Sequence, residues 1–196
     1  MYLKVPQSYS AYRVLGIDPG LNHTGVSILD VDSTTHVVCA AVAFTLTNDK
    51  LVNESGLDWE SHSERMIKIY KLRHALAHIL SDYRPSIVGC EAPFYNRLRP
   101  MAYGALVEVV SHLQQTIIDH NPNIRHVLLA PMTVKKEIGA KAVKNDTVQG
   151  KSIVKAAVQL NAELMGALQV PLVSLSEHAI DALAVAYTVL KQGNWK

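Results

Sequence analysis

Four side chains able to hold a divalent cation or move a proton stand where apolar segments meet polar ones: Asp18, Glu91, His178 and Asp181. Asp18 closes the run Arg13-Val-Leu-Gly-Ile-Asp18, a Pro-Gly pair turns the backbone, and a second apolar run begins after Gly25. Glu91 closes Ser86-Ile-Val-Gly-Cys-Glu91, and Asp181 lies in Ser176-Glu-His-Ala-Ile-Asp-Ala-Leu-Ala-Val-Ala186. A carboxylate beside apolar sequence is costly unless something pairs with it. Three of them in one chain point to a shared partner, most simply a divalent metal. Mg²⁺ and Mn²⁺ favour oxygen ligands, and Mn²⁺ also accepts an imidazole. His178 precedes Asp181 by three residues, so one helical turn places both on the same face. Two such ions can activate a water on one side of a phosphate and stabilise the leaving oxygen on the other. The set therefore suggests metal-dependent phosphodiester hydrolysis.

Taken singly, each residue has a plainer role. Asp18 before Pro-Gly suits a turn, Glu91 an exposed strand end, and Asp181 the acidic start of a helix. Their joint pattern needs elements that bring them together. Strands are expected near 14–17, 26–30 and 36–46, joined by short turns, with the first two forming a hairpin that delivers Asp18 to the sheet surface. A polar loop covers 47–59. A helix follows over 61–83, with Ser61 and Glu64 as a capping box. The segment 87–90 is a buried strand ending at Glu91, 101–120 a second helix, and 127–130 a strand stopped by Pro131. Helices are then expected from about Lys151 to Leu164 and from Glu177 to Lys191. Three strands in a meander followed by alternating helices and strands give an α/β fold, a mixed sheet covered by helices. If the first and fourth strands are neighbours, Asp18 and Glu91 meet, and the last helix packed on the sheet can supply Asp181.

The 196 residues fit one domain, taken as 13–196 after an N-terminal extension of 1–12. A hydrophobic content of 48% with 18% charged residues excludes a disordered chain, and no apolar run is long enough for a membrane span. Residues 1–10 carry one lysine and no apolar core, unlike a signal peptide. Cys39 and Cys90, both in apolar strand-like segments, are expected to be buried free thiols. A cytoplasmic protein is the expectation.

The net charge is only +2, but its distribution is uneven. From Arg125 to Lys155, seven basic residues (Arg125, Lys135, Lys136, Lys141, Lys144, Lys151 and Lys155) face two acidic ones, a net of +5. The loop and helix start carrying Asp49, Glu54, Asp58, Glu60 and Glu64 are acidic. One basic face suits phosphate-backbone binding, and the stretch 133–150 is expected to be mobile without DNA. Phe94 and Tyr95, with Arg97 and Arg99 close behind, combine aromatic rings with cations, a combination suited to unpaired bases.

With these residues in view, the chain resembles the RuvC family of Holliday junction resolvases, and within it a bacteriophage version. The resemblance rests on Gly16-Ile-Asp-Pro-Gly20 with Gly25, on Glu91 followed three residues later by Phe94, and on His178-Ala-Ile-Asp-Ala-Leu-Ala-Val-Ala186. It runs from about Arg13 to Tyr187. Gly-Ile-Asp-x-Gly alone is weak, since actin-like and sugar-kinase ATPases share it, whereas the ordered set of three is specific. The resemblance implies an RNase H-like fold of the retroviral-integrase superfamily type and a homodimer with two active sites. It also implies paired nicks across a four-way DNA junction. Asp18, Glu91, His178 and Asp181 would be the catalytic metal ligands, holding Mg²⁺ or Mn²⁺, two per active site. Phe94 would stack on a base opened near the junction centre, and Lys135 and Lys151 would hold the scissile backbone. Tyr95, Arg97, Arg99, Lys136, Lys141 and Lys144 join them as candidate DNA contacts. A bacteriophage protein would act in the host cytoplasm. Pro93, Tyr95, Arg97, Arg99 and a long spacing from Lys135 to Lys151 depart from the family pattern, and bear on junction and cleavage-site preference.

Other functions fit less well. An ATPase on the same hairpin needs two related halves, which 196 residues without a repeat do not supply. A non-catalytic binder of branched DNA gains nothing from acids buried beside phosphates. An RNA-directed nuclease of the same fold would use the same carboxylates.

Overall fold

The computed structural model describes residues 10–54, 56–58, 60–95, 97, 100–140 and 152–193. Most of the N-terminal extension, Arg99, Lys141, Lys144 and Lys151 lie outside the described residues. Five strands form one sheet: β1 (Ala11–Asp18), β2 (His23–Asp32), β3 (Val38–Thr47), β4 (Ile87–Glu91) and β5 (Arg125–Leu129), in the order β3-β2-β1-β4-β5. The first three pair antiparallel, whereas β1–β4 and β4–β5 are parallel. The fourth strand is thus the neighbour of the first, as the site requires.

Consecutive strand residues point to opposite faces, and β1 divides accordingly. Leu15 and Ile17 enter a core beneath α1 (Glu64–Tyr83) and α2 (Pro100–His120), with Leu72, Leu76, Leu113 and Ile117. Val14 enters the opposite core, beneath α4 (Ser152–Leu160), α5 (Ala162–Ala167) and α6 (Glu177–Gln192), with Val158, Leu164, Leu183 and Val185. Helices therefore cover both faces of a mixed sheet, the α/β architecture expected. The short α3 (Pro131–Glu137) also packs toward α6.

Close approach sets the height of α6 above the sheet. A Cβ at Gly16 would lie 2.3 Å from the Ala182 carbonyl oxygen, and one at Gly25 would lie 1.8 Å from that of His178. On the helix side, Ala179, Ala182, Ala184 and Ala186 are buried, and Ser27 Oγ donates to the Ala182 carbonyl at 2.7 Å. Small residues on both partners let the helix lie on the strands.

The structure corrects several local expectations. Ser63, not Ser61, caps α1 by accepting from the Met66 amide, because Asp58 holds both the amide of Ser61, at 2.7 Å, and its hydroxyl. Glu64 is the first helical residue and pairs with Lys68. Strand β3 starts at Val38 rather than near residue 36. His36 sits in the left-handed region at φ 56°, in a turn whose Asp32 carboxylate accepts from the Thr34 and Thr35 amides. Pro131 ends β5 but also opens α3, where its missing N–H costs nothing. The helix expected to reach Leu164 breaks at Asn161, whose side chain accepts from the Leu164 amide and starts α5. Cys90 is buried, but Cys39 is exposed.

Gly25→Ala should lower stability strongly, by roughly 1–3 kcal/mol or more, because the added carbon meets the His178 backbone rather than a movable side chain. Chemical denaturation should show the loss in the transition midpoint, while Gly104→Ala, which meets open space, should leave stability unchanged or raised.

Candidate active site

Alternation along the strands decides where the acids point. On β1, Asp18 has the parity of Val14 and Gly16, and on β4, Glu91 has that of Ile87 and Gly89. Both carboxylates therefore face α6. In the parallel pair the register is Gly16↔Gly89 and Ile17↔Cys90, so the next step sets Asp18 beside Glu91. The N-terminus of α6 comes down over this edge, with Ser176 as N-cap accepting from the Ala179 amide and bonded through its hydroxyl to that of Thr45. His178 and Asp181 lie in its first turns. Asp18, Glu91, His178 and Asp181 are thus brought to one end of the sheet.

Within the cluster, His178 Nδ1 lies 2.7 Å from Asp18 Oδ2, with the Asp18 side chain 16% exposed and that of His178 44%. A protonated Nδ1 donates to the carboxylate. That hydrogen bond raises the imidazole pKa against the burial that lowers it, and the charges of Asp18, Asp181 and Glu177 add to the rise. Glu91 is pushed up from 4.5 to about 7, first by burial and then by Asp18 and Asp181. Asp181 rises from 3.8 to about 6, again by burial first and then by Asp18. Lys135 of α3 acts on both acids in the opposite direction, which puts its positive charge within electrostatic reach of the cluster. Two buried acids raised further by the charge of Asp18 form a concentrated negative site with too little positive charge of its own.

Among the described residues, no three His, Cys, Asp or Glu side chains converge closely enough to ligate one ion as they stand. His178 is turned onto Asp18. The donor set nevertheless fits a hard divalent cation: three carboxylates and an imidazole whose repulsion such a charge would relieve. Asp18, Glu91, Asp181 and His178 are the residues that would hold it.

The other candidates spread outward from this edge. Phe94 and Tyr95, just beyond β4, are 68% and 53% exposed, so Phe94 is not a core residue. Tyr95 rests edge-on against Tyr103 at the start of α2, with centroids 5.4 Å apart. Arg97 and Lys136 are exposed and Lys135 half-buried. The sequence pattern gave no sign of His23. It opens β2 five residues after Asp18, and its ring stacks on that of His178, with centroids 5.8 Å apart and planes 21° from parallel.

The raised acids set a pH dependence. The folded state holds the protons of Glu91 and Asp181 more tightly than the unfolded chain. Their contribution to stability is therefore fully present below about 4 and is lost as pH rises through about 6 to 7. Without divalent metal, the melting temperature should fall between about pH 5 and pH 8, and Glu91→Gln should flatten that fall by on the order of 1–3 kcal/mol at the alkaline end. Divalent metal should raise the wild-type melting temperature most at the alkaline end. Scanning fluorimetry across pH, with and without Mn²⁺, checks both.

No family model matches the chain. Among curated proteins, it is 26% identical over 174 residues to the crossover junction endodeoxyribonuclease RuvC of Caldicellulosiruptor saccharolyticus, covering 89% of each chain. It is 28% identical over 183 residues to that of Synechocystis, covering 92% of each. Among solved structures, Thermus thermophilus RuvC aligns with a TM-score of 0.61 at 20% identity, over 90% of this chain and 92% of that one. The yeast mitochondrial Holliday junction resolvase Ydc2 aligns with a TM-score of 0.55 at 16% identity, over 93% and 79%. The structural likeness shows a shared RNase H-like fold, and the sequence likeness to the RuvC endonucleases spans nearly the whole of both chains.

Proposed function

We propose that this protein is a divalent-metal-dependent endonuclease that resolves four-way DNA junctions by paired nicks. The carrying observation is the convergence of Asp18, Glu91, Asp181 and His178 from β1, β4 and α6 at one sheet end, with the charge of Lys135 alongside. The curated relatives support the substrate, being named crossover junction endodeoxyribonucleases. So does a solved T. thermophilus RuvC with a Holliday junction substrate, aligned here with a TM-score of 0.59.

Asp18, Glu91, Asp181 and His178 would hold Mg²⁺ or Mn²⁺, two per site, which would supply activation of the attacking water and stabilisation of the departing oxygen. The chain's own residues do the rest. The acids are fixed on a strand pair and a packed helix, so little ordering remains to be done when substrate arrives. Lys135, Lys136 and Arg97, with Arg99, Lys141, Lys144 and Lys151 outside the described residues, hold phosphates. Phe94 stacks on a base opened at the junction centre, with Tyr95 beside it. Asp18→Asn and Glu91→Gln should each abolish cleavage and leave junction binding equal or tighter, since an amide removes repulsion toward phosphate. Cleavage by either at more than a small fraction of the wild-type rate would exclude that residue as a ligand.

Phe94→Ala should bind junctions nearly as wild type yet cut roughly ten-fold or more slowly, because base stacking is worth about 1–3 kcal/mol while phosphate contacts carry most affinity. A junction already mismatched at its centre should recover most of that rate. Equal loss on every substrate, without recovery, would remove the stacking role.

Two opposed nicks need two active sites related by a two-fold axis, and we propose a second copy of this chain as the partner. Val107, Ser111, Gln114 and Ile118 follow one face of α2, and Gln114 reaches His126 on β5, two residues from Leu128 on the same strand face. Val107, Ile118 and Leu128 are 40–54% exposed, an apolar strip left uncovered by this chain. Ile118→Asp combined with Leu128→Asp should give a folded monomer by sedimentation that no longer makes paired nicks.

A further inference from the structure

Beyond the four candidate ligands, the structure assigns a fifth residue to the site: we propose that His23 is a positioning residue that fixes the imidazole of His178 for metal binding. The proposal rests on the metal-site function above. His178 is a half-buried side chain in the first turn of α6, tethered through Nδ1 to the Asp18 carboxylate at 2.7 Å. A hydrogen bond at one ring nitrogen leaves the ring some freedom to turn, and that freedom must be given up when an ion is bound. The His23 ring supplies the second constraint by lying almost flat against it.

The support under His23 is rigid. Its backbone begins β2 and pairs with Thr47 of β3. The next residue, Thr24, is buried and holds the hairpin turn, its hydroxyl donating to the Gly20 carbonyl at 2.6 Å. Two residues on, Gly25 lies against the His178 carbonyl. One hairpin thus grips both the backbone and the ring of His178. The neighbouring residues that bear on His178 are Asp18 from β1 and Asp181 and Glu177 from its own helix.

The two rings form a stacked pair, with planes 21° apart and centroids separated by 5.8 Å, and the variants below separate stacking from shared ligation.

Three variants test the proposal in DNA-free protein: His23→Ala removes the ring, His23→Phe keeps the plane without nitrogens, and Asp18→Asn is the ligand control. Mn²⁺ affinity is read by electron paramagnetic titration, and the His178 ring by its nitrogen-correlated proton spectrum without metal. His23→Ala should weaken Mn²⁺ binding about ten-fold, the lower end for loss of a supporting contact. It should also broaden or lose the Nδ1–H signal of His178. His23→Phe should restore both to within about two-fold, since a flat ring suffices. Equal losses in His23→Phe and His23→Ala would overturn positioning and make His23 a nitrogen ligand or donor. No loss in His23→Ala would overturn it outright. An ordered His178 signal that depends on the His23 ring, with Mn²⁺ binding unaffected by Asp18→Asn, would support the stack while refuting the metal site it was proposed to serve.

Discussion

Almost everything at the site depends on how closely α6 lies on the sheet. The helix can reach that height only because Gly16 and Gly25 present no side chain to its backbone and its own buried face is largely alanine. Ser27 then fastens the contact through the Ala182 carbonyl. Raise the helix by the thickness of a methyl group, and His178 and Asp181 move away from Asp18 and Glu91, which sit on strands that cannot follow. A contact usually counted as packing is here the mechanical basis of the electrostatics.

That close seat makes a site that works against the fold. Burial and the charge of Asp18 raise both Glu91 and Asp181, and the charge of Lys135 answers only part of that repulsion. The energy to hold them comes from elsewhere: two apolar cores, one on each face of the sheet, with Leu15, Ile17, Ile28, Leu80, Leu164 and Ile180 fully buried. The site is therefore preorganised and strained at once, and a cation or a substrate's attendant ions relieve the strain. Affinity for a divalent ion is in part the release of repulsion already stored between neighbours.

How much of this was legible in the sequence follows from the range of each interaction. Strand alternation and the order of elements place Asp18 and Glu91 on one face, and helical spacing pairs His178 with Asp181. These are local rules, and they held. What was lost depended on competition between neighbours. Ser61 and Ser63 both suit a cap, and the Asp58 side chain decides between them by holding the Ser61 hydroxyl as well as its amide. Asn161 reads as a helical residue until its side chain takes the Leu164 amide. Cys39 is exposed despite its apolar neighbours because it falls between Val38 and Ala40, where the β2–β3 register shifts and leaves it without a partner residue in that register. His23 was passed over because its partner is 155 residues away, and nothing in the hairpin's own sequence shows that α6 will land there.

The same contrast of local and distant constraint separates the chemistry from the recognition. The acids stand on a strand pair and a packed helix, elements whose backbone is fixed by hydrogen bonds, so their spacing is set before substrate arrives. Phe94 stands instead just past the end of β4, where the Ala92 amide donates to the Leu129 carbonyl at 2.8 Å and regular pairing then stops. On the proposed function, the Phe94 ring would have to enter a junction whose centre varies in shape, and a loop allows what a strand would forbid. Tyr95 narrows that freedom by leaning on Tyr103 of α2. The loop is therefore anchored at both ends, to the strand that carries Glu91 and to the helix proposed to meet the second copy. On the proposed function, a displacement of Phe94 by DNA would be passed to Glu91 along the chain and to α2 through the Tyr95–Tyr103 ring contact.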